Sequence, residues 1–166
     1  MSKNHKTVLP IYSFAPLADS KSKLLILGTI PGKESLRLNA YYAHPQNAFW
    51  KIIFNLCDLP YSTDVQVRRE LVLQKGIAIW DVLRCCERSS SLDNDIRLEQ
   101  PNDLRSLLSS HPGILRIFFN GKGAARYFRK YFPDLSLLNQ VLPSSSPAHA
   151  IKWEQKLEAW QVIKSF

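Results

Sequence analysis

The chain alternates short, continuous apolar runs with stretches of helical period. Lys23–Gly28 (K-L-L-I-L-G) is apolar after its first residue, the pattern of a strand covered on both faces of a sheet. Gly76–Val82, Leu115–Asn120 and a segment near Leu137–Leu142 read as three further strands. Between them, Asn47–Asp58 reads as a helix with Phe49, Trp50, Ile53, Phe54 and Cys57 on one face. Asp64–Gln74 reads as a charged helix. Another follows Pro101-Asn102-Asp103, residue types that suit a helix N-terminus. Gly121 opens a helix carrying Phe128, Tyr131 and Phe132. A closing helix from about Ile151 lines up Trp153, Leu157, Trp160 and Ile163. Residues 84–100 are polar and irregular.

Strands alternating with helices predict an α/β layer fold with a mostly parallel sheet. Sites in such sheets lie beyond the C-terminal strand ends. Here these are the loops after Leu27, Trp80, Phe119 and Leu142. With no internal repeat or linker, a single domain over residues 1–166 is expected.

Composition narrows the function. Of 166 residues, 45% are hydrophobic and 22% charged, which argues against disorder and coiled coil. The 22 Lys and Arg against 14 Asp and Glu leave a net charge of +8, which favours nucleic acid or an anionic membrane surface as partner. No run approaches the roughly 20 apolar residues of a membrane span. Val8–Tyr12 after Lys3 and Lys6 looks superficially like a signal peptide, but Pro10 and Pro16 interrupt it. Cys57, Cys85 and Cys86 are an odd set with an adjacent pair, so a reducing, cytoplasmic setting is expected. His5, His44, His111 and His149 show no ligand spacing, and no metal site is expected.

Several familiar chemistries fail on spacing. Gly28-Thr29-Ile30-Pro31-Gly32 is one residue short of a P-loop, and Lys33 is followed by Glu34 rather than Ser or Thr. Ser144, Ser145 and Ser146 lie near His149 without a nucleophile elbow. Asn39–Trp50 is richer in recognition chemistry. Tyr41 and Tyr42 can stack on a base, while His44, Gln46 and Asn47 can hydrogen-bond to one.

Taken in order, five segments resemble the uracil-DNA glycosylase superfamily, and its DNA-deoxyinosine (hypoxanthine-DNA) glycosylase branch in particular. They are L-I-L-G-T-I-P-G-K-E-S-L at 25–36, Y-Y-A-H-P-Q-N-A-F-W at 41–50, G-I-A-I-W-D-V-L at 76–83, F-F-N-G-K at 118–122 and L-P-S-S-S-P-A-H-A at 142–150. The resemblance implies a three-layer fold with a central four-stranded, mostly parallel sheet flanked by helices. It also implies a monofunctional DNA glycosylase that hydrolyses the N-glycosidic bond of a deaminated base. Hypoxanthine is the first expectation, uracil and xanthine are further ones, and no metal or organic cofactor is needed. The expected partner is double-stranded DNA containing such a base, with no membrane, and the chain is expected to be a monomer. A uracil-specific enzyme and a catalytically dead DNA-binding relative are the alternatives.

The resemblance also assigns residues. Gly28, Thr29, Ile30, Pro31 and Gly32 correspond to the loop facing the target sugar and the hydrolytic water. Ile30 stands where the mismatch-specific uracil branch places an asparagine, so Asn47 is the leading catalytic candidate and Asn39 the second. Tyr42 resembles the residue that stacks on the extruded base. Asp81 falls where uracil-specific relatives read the base with an asparagine, and Asn120 is expected beside it. An ionised Asp81 would accept from the ring N–H of hypoxanthine or uracil and oppose the lone pair of adenine N1. Ser144, Ser145, Ser146 and His149 are expected on DNA, with His149 beside Ala148, which is too small to replace a base. Independently of the resemblance, Lys122, Arg126, Arg129 and Lys130 are spaced to share one face of the helix after Gly121, a face expected either on the DNA backbone or simply in solvent.

Overall fold

The computed structural model describes residues 8–165, so Lys3, His5 and Lys6 lie outside the described residues. The elements are β1 (Pro10–Tyr12), β2 (Leu24–Gly28), α1 (Lys33–Leu38), α2 (Phe49–Leu56), α3 (Val65–Gln74), β3 (Ile77–Asp81) and β4 (Leu83–Glu87). They continue with β5 (Arg97–Pro101), α4 (Leu104–Ser110), β6 (Arg116–Asn120), α5 (Lys122–Tyr131), β7 (Leu138–Leu142) and α6 (Trp153–Trp160).

The central sheet has the order β3-β2-β6-β7, and each neighbouring pair is parallel. Its strands alternate between two apolar layers, as the two-residue period of a strand requires. Leu25, Leu27, Ile117 and Phe119 pack with Leu104 and Leu107 of α4 and with Ala124 and Phe128 of α5. Leu24, Ile26 and Phe118 pack on the opposite face with Phe49 and Ile53 of α2, Val72 of α3 and Trp160 of α6. This is the expected three-layer α/β arrangement, and all four expected strands lie within a residue of their predicted bounds.

The helix starts follow local chemistry. The Asp64 carboxylate accepts from the Val67 N–H at 2.9 Å, and Asp103 accepts from the Ser106 N–H at 3.0 Å. These bonds satisfy amide groups left open at a first helical turn.

Residues 84–100 depart from the sequence expectation. β4 and β5 pair antiparallel there, and β1 adds to β4, making a separate three-stranded sheet. Its hydrophobic pattern is broken for identifiable reasons. The β4–β5 register shifts twice, β5 is largely exposed, and Leu98 adopts a positive φ of 50°. β1 begins with proline, which an edge strand tolerates because that position need not donate to a ladder. Between β4 and β5, the chain from Arg88 to Asp95 leaves the sheet and reaches over the C-terminal ends of the parallel strands. A second difference is α1, a short helix directly after the Gly28–Gly32 loop.

Candidate active site

An open cleft of about 810 Å³ lies beyond the C-terminal ends of the parallel strands. Gly28 ends β2, Asp81 ends β3, Asn120 ends β6, and β7 leads through Pro143 into Ser144–Ser146. The Gly28–Gly32 loop, Tyr42, Asn47, Asp81, Asn120, Ser144, Ser145, Ser146 and His149 all line this cleft. One strand-end geometry thus gathers positions spread over more than a hundred residues.

The floor is crowded and polar. A Cβ placed on Gly28 would lie 2.6 Å from Asp81 Oδ1 and 3.0 Å from the Tyr42 hydroxyl, so only glycine leaves room for both groups. The Asp81 side chain is buried, and its Oδ2 has no hydrogen-bond partner. The Tyr42 hydroxyl is also buried without one. Burial raises the Asp81 carboxyl to about 7, the Asp93 carboxylate reinforces the rise, and Arg88 opposes it. The sequence expectation of an ionised Asp81 changes accordingly. A buried carboxyl beside another carboxylate retains its proton into the neutral range.

Tyr42 is positioned from behind and below. Its ring stacks on Phe49 with centroids 3.9 Å apart and planes 18° from parallel. Its backbone φ of 53° is uncommon for a bulky residue and marks a constrained turn. Burial, then Asp81, pushes its phenol well above the ordinary value. The Asn120 amide opposes that rise without reaching hydrogen-bond geometry. The Trp50 indole N–H donates to the Tyr41 carbonyl at 2.8 Å, tying the aromatic turn to α2.

The two asparagine candidates separate. Asn47 lines the cleft, and its Oδ1 accepts from the Phe49 N–H at 2.9 Å, which leaves the amide N–H groups for the cleft. Asn39 lies outside the cleft lining and is exposed, ending α1 with a left-handed φ of 50°. Asparagine suits that position because it tolerates left-handed backbone.

Asn120 and Ser145 both line the cleft and are bonded to each other. Asn120 Nδ2 donates to Ser145 Oγ at 2.8 Å, and Ser145 N–H donates to Asn120 Oδ1 at 2.8 Å. Ser145 is 1% exposed, which turns its hydroxyl and N–H inward, and these two bonds use one N–H and one oxygen lone pair of Asn120, whose second N–H remains on the cleft lining. α6 fastens the same loop: Trp160 Nε1 donates to the Pro143 carbonyl at 2.9 Å and Lys156 Nζ to the His149 carbonyl at 3.0 Å. Ser144, Ser146 and His149 stay at the accessible edge.

Sequence reasoning missed the Arg88–Asp95 segment. Thr29 Oγ1 donates to Asp93 Oδ2 at 2.8 Å, and Arg88 donates to the Pro31 carbonyl at 2.6 Å. The Lys33 N–H donates to Ser91 Oγ at 3.2 Å. Ser91, Leu92, Asp93 and Asn94 thereby form one wall of the cleft. These pairings span more than fifty residues, and no local pattern announces them.

The basic face also divides. Lys122, Arg126 and Arg129 line a groove that shares Asp93 and Asn94 with the cleft. Lys130 is set apart from it, paired with Glu99 at 2.6 Å. Among the described residues, no cluster of His, Cys, Asp and Glu could hold a metal ion, and no helix is long and apolar enough to cross a membrane.

Comparison with known proteins agrees with this geometry. Residues 15–165 match the family model described as the uracil DNA glycosylase superfamily. A hypoxanthine DNA glycosylase of Methanosarcina barkeri is 31% identical over 149 residues, 89% of this chain and 93% of that protein. A hypoxanthine DNA glycosylase of Methanosarcina acetivorans is 30% identical over 155 residues, 90% and 95% of the two chains. A solution NMR structure of a Methanosarcina acetivorans protein, provisionally described as a uracil DNA glycosylase, superposes with a TM-score of 0.81 at 27% identity, covering 93% of this chain and 96% of that one. With its parallel sheet, strand-end cleft and family match over nearly its whole length, the chain belongs to the uracil-DNA glycosylase superfamily.

Proposed function

We propose that this chain, acting as a single intracellular domain on double-stranded DNA, hydrolyses the N-glycosidic bond of a deaminated base and leaves an abasic site. Hypoxanthine is the foremost substrate. The observation that carries this reading is the buried Asp81 carboxyl, with an unpartnered oxygen, at the floor of a cleft also lined by Tyr42.

The chemistry follows from that carboxyl. Hypoxanthine presents a ring N–H beside a carbonyl. The acid form of Asp81 accepts from the N–H through its C=O and donates its O–H to the carbonyl oxygen. Bond breaking leaves negative charge on the departing base, and a donor aimed at its oxygen stabilises that charge. Tyr42, backed by Phe49, supports the base by stacking. Asn47 donates to the attacking water on the other side of C1′. The water adds its oxygen to C1′ and loses one proton to solvent, the C1′–N bond breaks, and the base leaves with the bond pair and takes up one proton from solvent. Lys122 and Arg126 hold the backbone from the neighbouring groove.

Duplexes carrying hypoxanthine, uracil or xanthine, incubated with the protein and then cleaved with alkali at abasic sites, test this. Hypoxanthine release at the highest rate is expected. Product from uracil alone would reassign the substrate. Ile30 on the cleft favours one second reading, a DNA-binding relative without catalysis, since isoleucine cannot polarise water. No product from any duplex would select it.

A further inference from the structure

Turning a base into the cleft leaves a gap in the stack, and an apolar side chain inserted between base steps is a common way to open or hold such a gap. Ala148 offers only a methyl group. On the Arg88–Asp95 wall, Leu92 is 52% exposed, and among the described exposed large apolar side chains it alone lines the cleft. It belongs to neither apolar core.

Its backbone is held on both sides. The Leu92 N–H donates to Ser90 Oγ at 3.0 Å, and its carbonyl accepts from the Asp95 N–H at 3.1 Å. Ser90 is itself bonded to the Asp95 carboxylate. Its neighbours Ser91 and Asp93 are fastened to the Gly28–Lys33 segment, through the Lys33 N–H and the Thr29 hydroxyl. The result is an exposed leucine on a fixed support at the mouth of a polar cleft.

We propose that Leu92 is the wedge that enters the base stack and holds the gap when the target base turns into the cleft. The proposal rests on the glycosylase reading above and adds to it a residue that positions the substrate. His149, exposed on the Ser144–His149 edge of the same cleft, is the competing candidate.

The test is single-turnover release of hypoxanthine from a duplex with deoxyinosine opposite cytosine, and from the same strand alone, by the wild type, Leu92→Ala, Leu92→Met and His149→Ala. A single strand has no stack to open, so it reports the chemistry without the wedge. Leu92→Ala should slow the duplex reaction by about tenfold or more and leave the single strand within about twofold, with Leu92→Met restoring the duplex rate. A 2-aminopurine beside the deoxyinosine should brighten on binding wild type and stay dim with Leu92→Ala, and this readout stands even if no base is released. Equal losses on both substrates, no loss on either, unchanged brightening, or the duplex-specific loss appearing in His149→Ala instead would each overturn the proposal.

Discussion

The Asp81 carboxyl lies against the backbone of Gly28 so closely that a Cβ there would come within 2.6 Å of Oδ1. The same Cβ would meet the Tyr42 hydroxyl at 3.0 Å. Gly28→Ala should therefore displace both groups from the cleft floor. We expect release of the base to slow by tenfold or more, a destabilisation of about 1–3 kcal/mol from overpacking, and single-turnover rates with thermal melts to read the two effects. A variant with wild-type rates would show that this close approach has no part in the reaction.

Asn47 and Asn39 should behave oppositely. Asn47→Ala is expected to cut the single-turnover rate about a hundredfold, as loss of a water-positioning donor does, and to cost about 0.5–2 kcal/mol through its lost bond to the Phe49 amide. Asn39→Ala, at an exposed helix end, should leave the rate near wild type. Near wild-type rates in Asn47→Ala would remove it from the mechanism.

Asn120→Ala strips the hydroxyl and N–H of the buried Ser145 of their Asn120 partner. A buried donor and acceptor left unsatisfied cost about 1–3 kcal/mol, and the Ser144–His149 edge should loosen. Chemical denaturation measures the first effect and faster amide exchange at Ser145 and Ser146 the second. Wild-type stability would contradict this Asn120–Ser145 latch.

Charge reversal of Lys122 and Arg126 together should weaken DNA binding at low salt and flatten its dependence on salt. Lys130, already paired with Glu99, should contribute little, and Lys130→Glu serves as the comparison. An unchanged salt slope in the double variant would move the DNA track off this groove.

Asp81 also links stability to pH. Its proton is held to about 7 in the folded chain, whereas an unfolded aspartate releases it near pH ~3.9. The folded state binds that proton more tightly, so the favourable contribution is complete below about pH 4 and fades as pH rises through about 7. Asp81→Asn removes this dependence. Its melting temperature should gain on that of the wild type between pH 5 and pH 8, and a constant gap would contradict the buried, raised carboxyl.

The parallel sheet was legible because its strands are buried on both faces and so carry uninterrupted apolar runs, as Leu24–Gly28 and Ile77–Asp81 do. The cleft was legible wherever a motif sat at a strand end, which placed Gly28, Asp81 and Ser144 correctly on its wall. What escaped was set by contacts distant in sequence. The β4–β5 ribbon breaks its alternation with register shifts, and the Arg88–Asp95 wall is held by polar bonds to Thr29, Pro31 and Lys33. Residue type named Asn120 as polar and well placed, but only the fold reveals that Ser145 already engages its amide.

The role of Asp81 is tested most directly by single-turnover release of hypoxanthine from deoxyinosine duplex across pH 5.5–9, for the wild type and Asp81→Asn. Asparagine offers the same acceptor and donor as the acid form and cannot ionise. The wild-type rate should hold steady up to about pH 7 and then decline towards tenfold per unit, while Asp81→Asn stays within about tenfold of wild type at pH 6 and shows no decline. A wild-type rate that instead rises through pH 7, together with an inactive Asp81→Asn, would contradict recognition by the neutral acid and assign the base to the carboxylate.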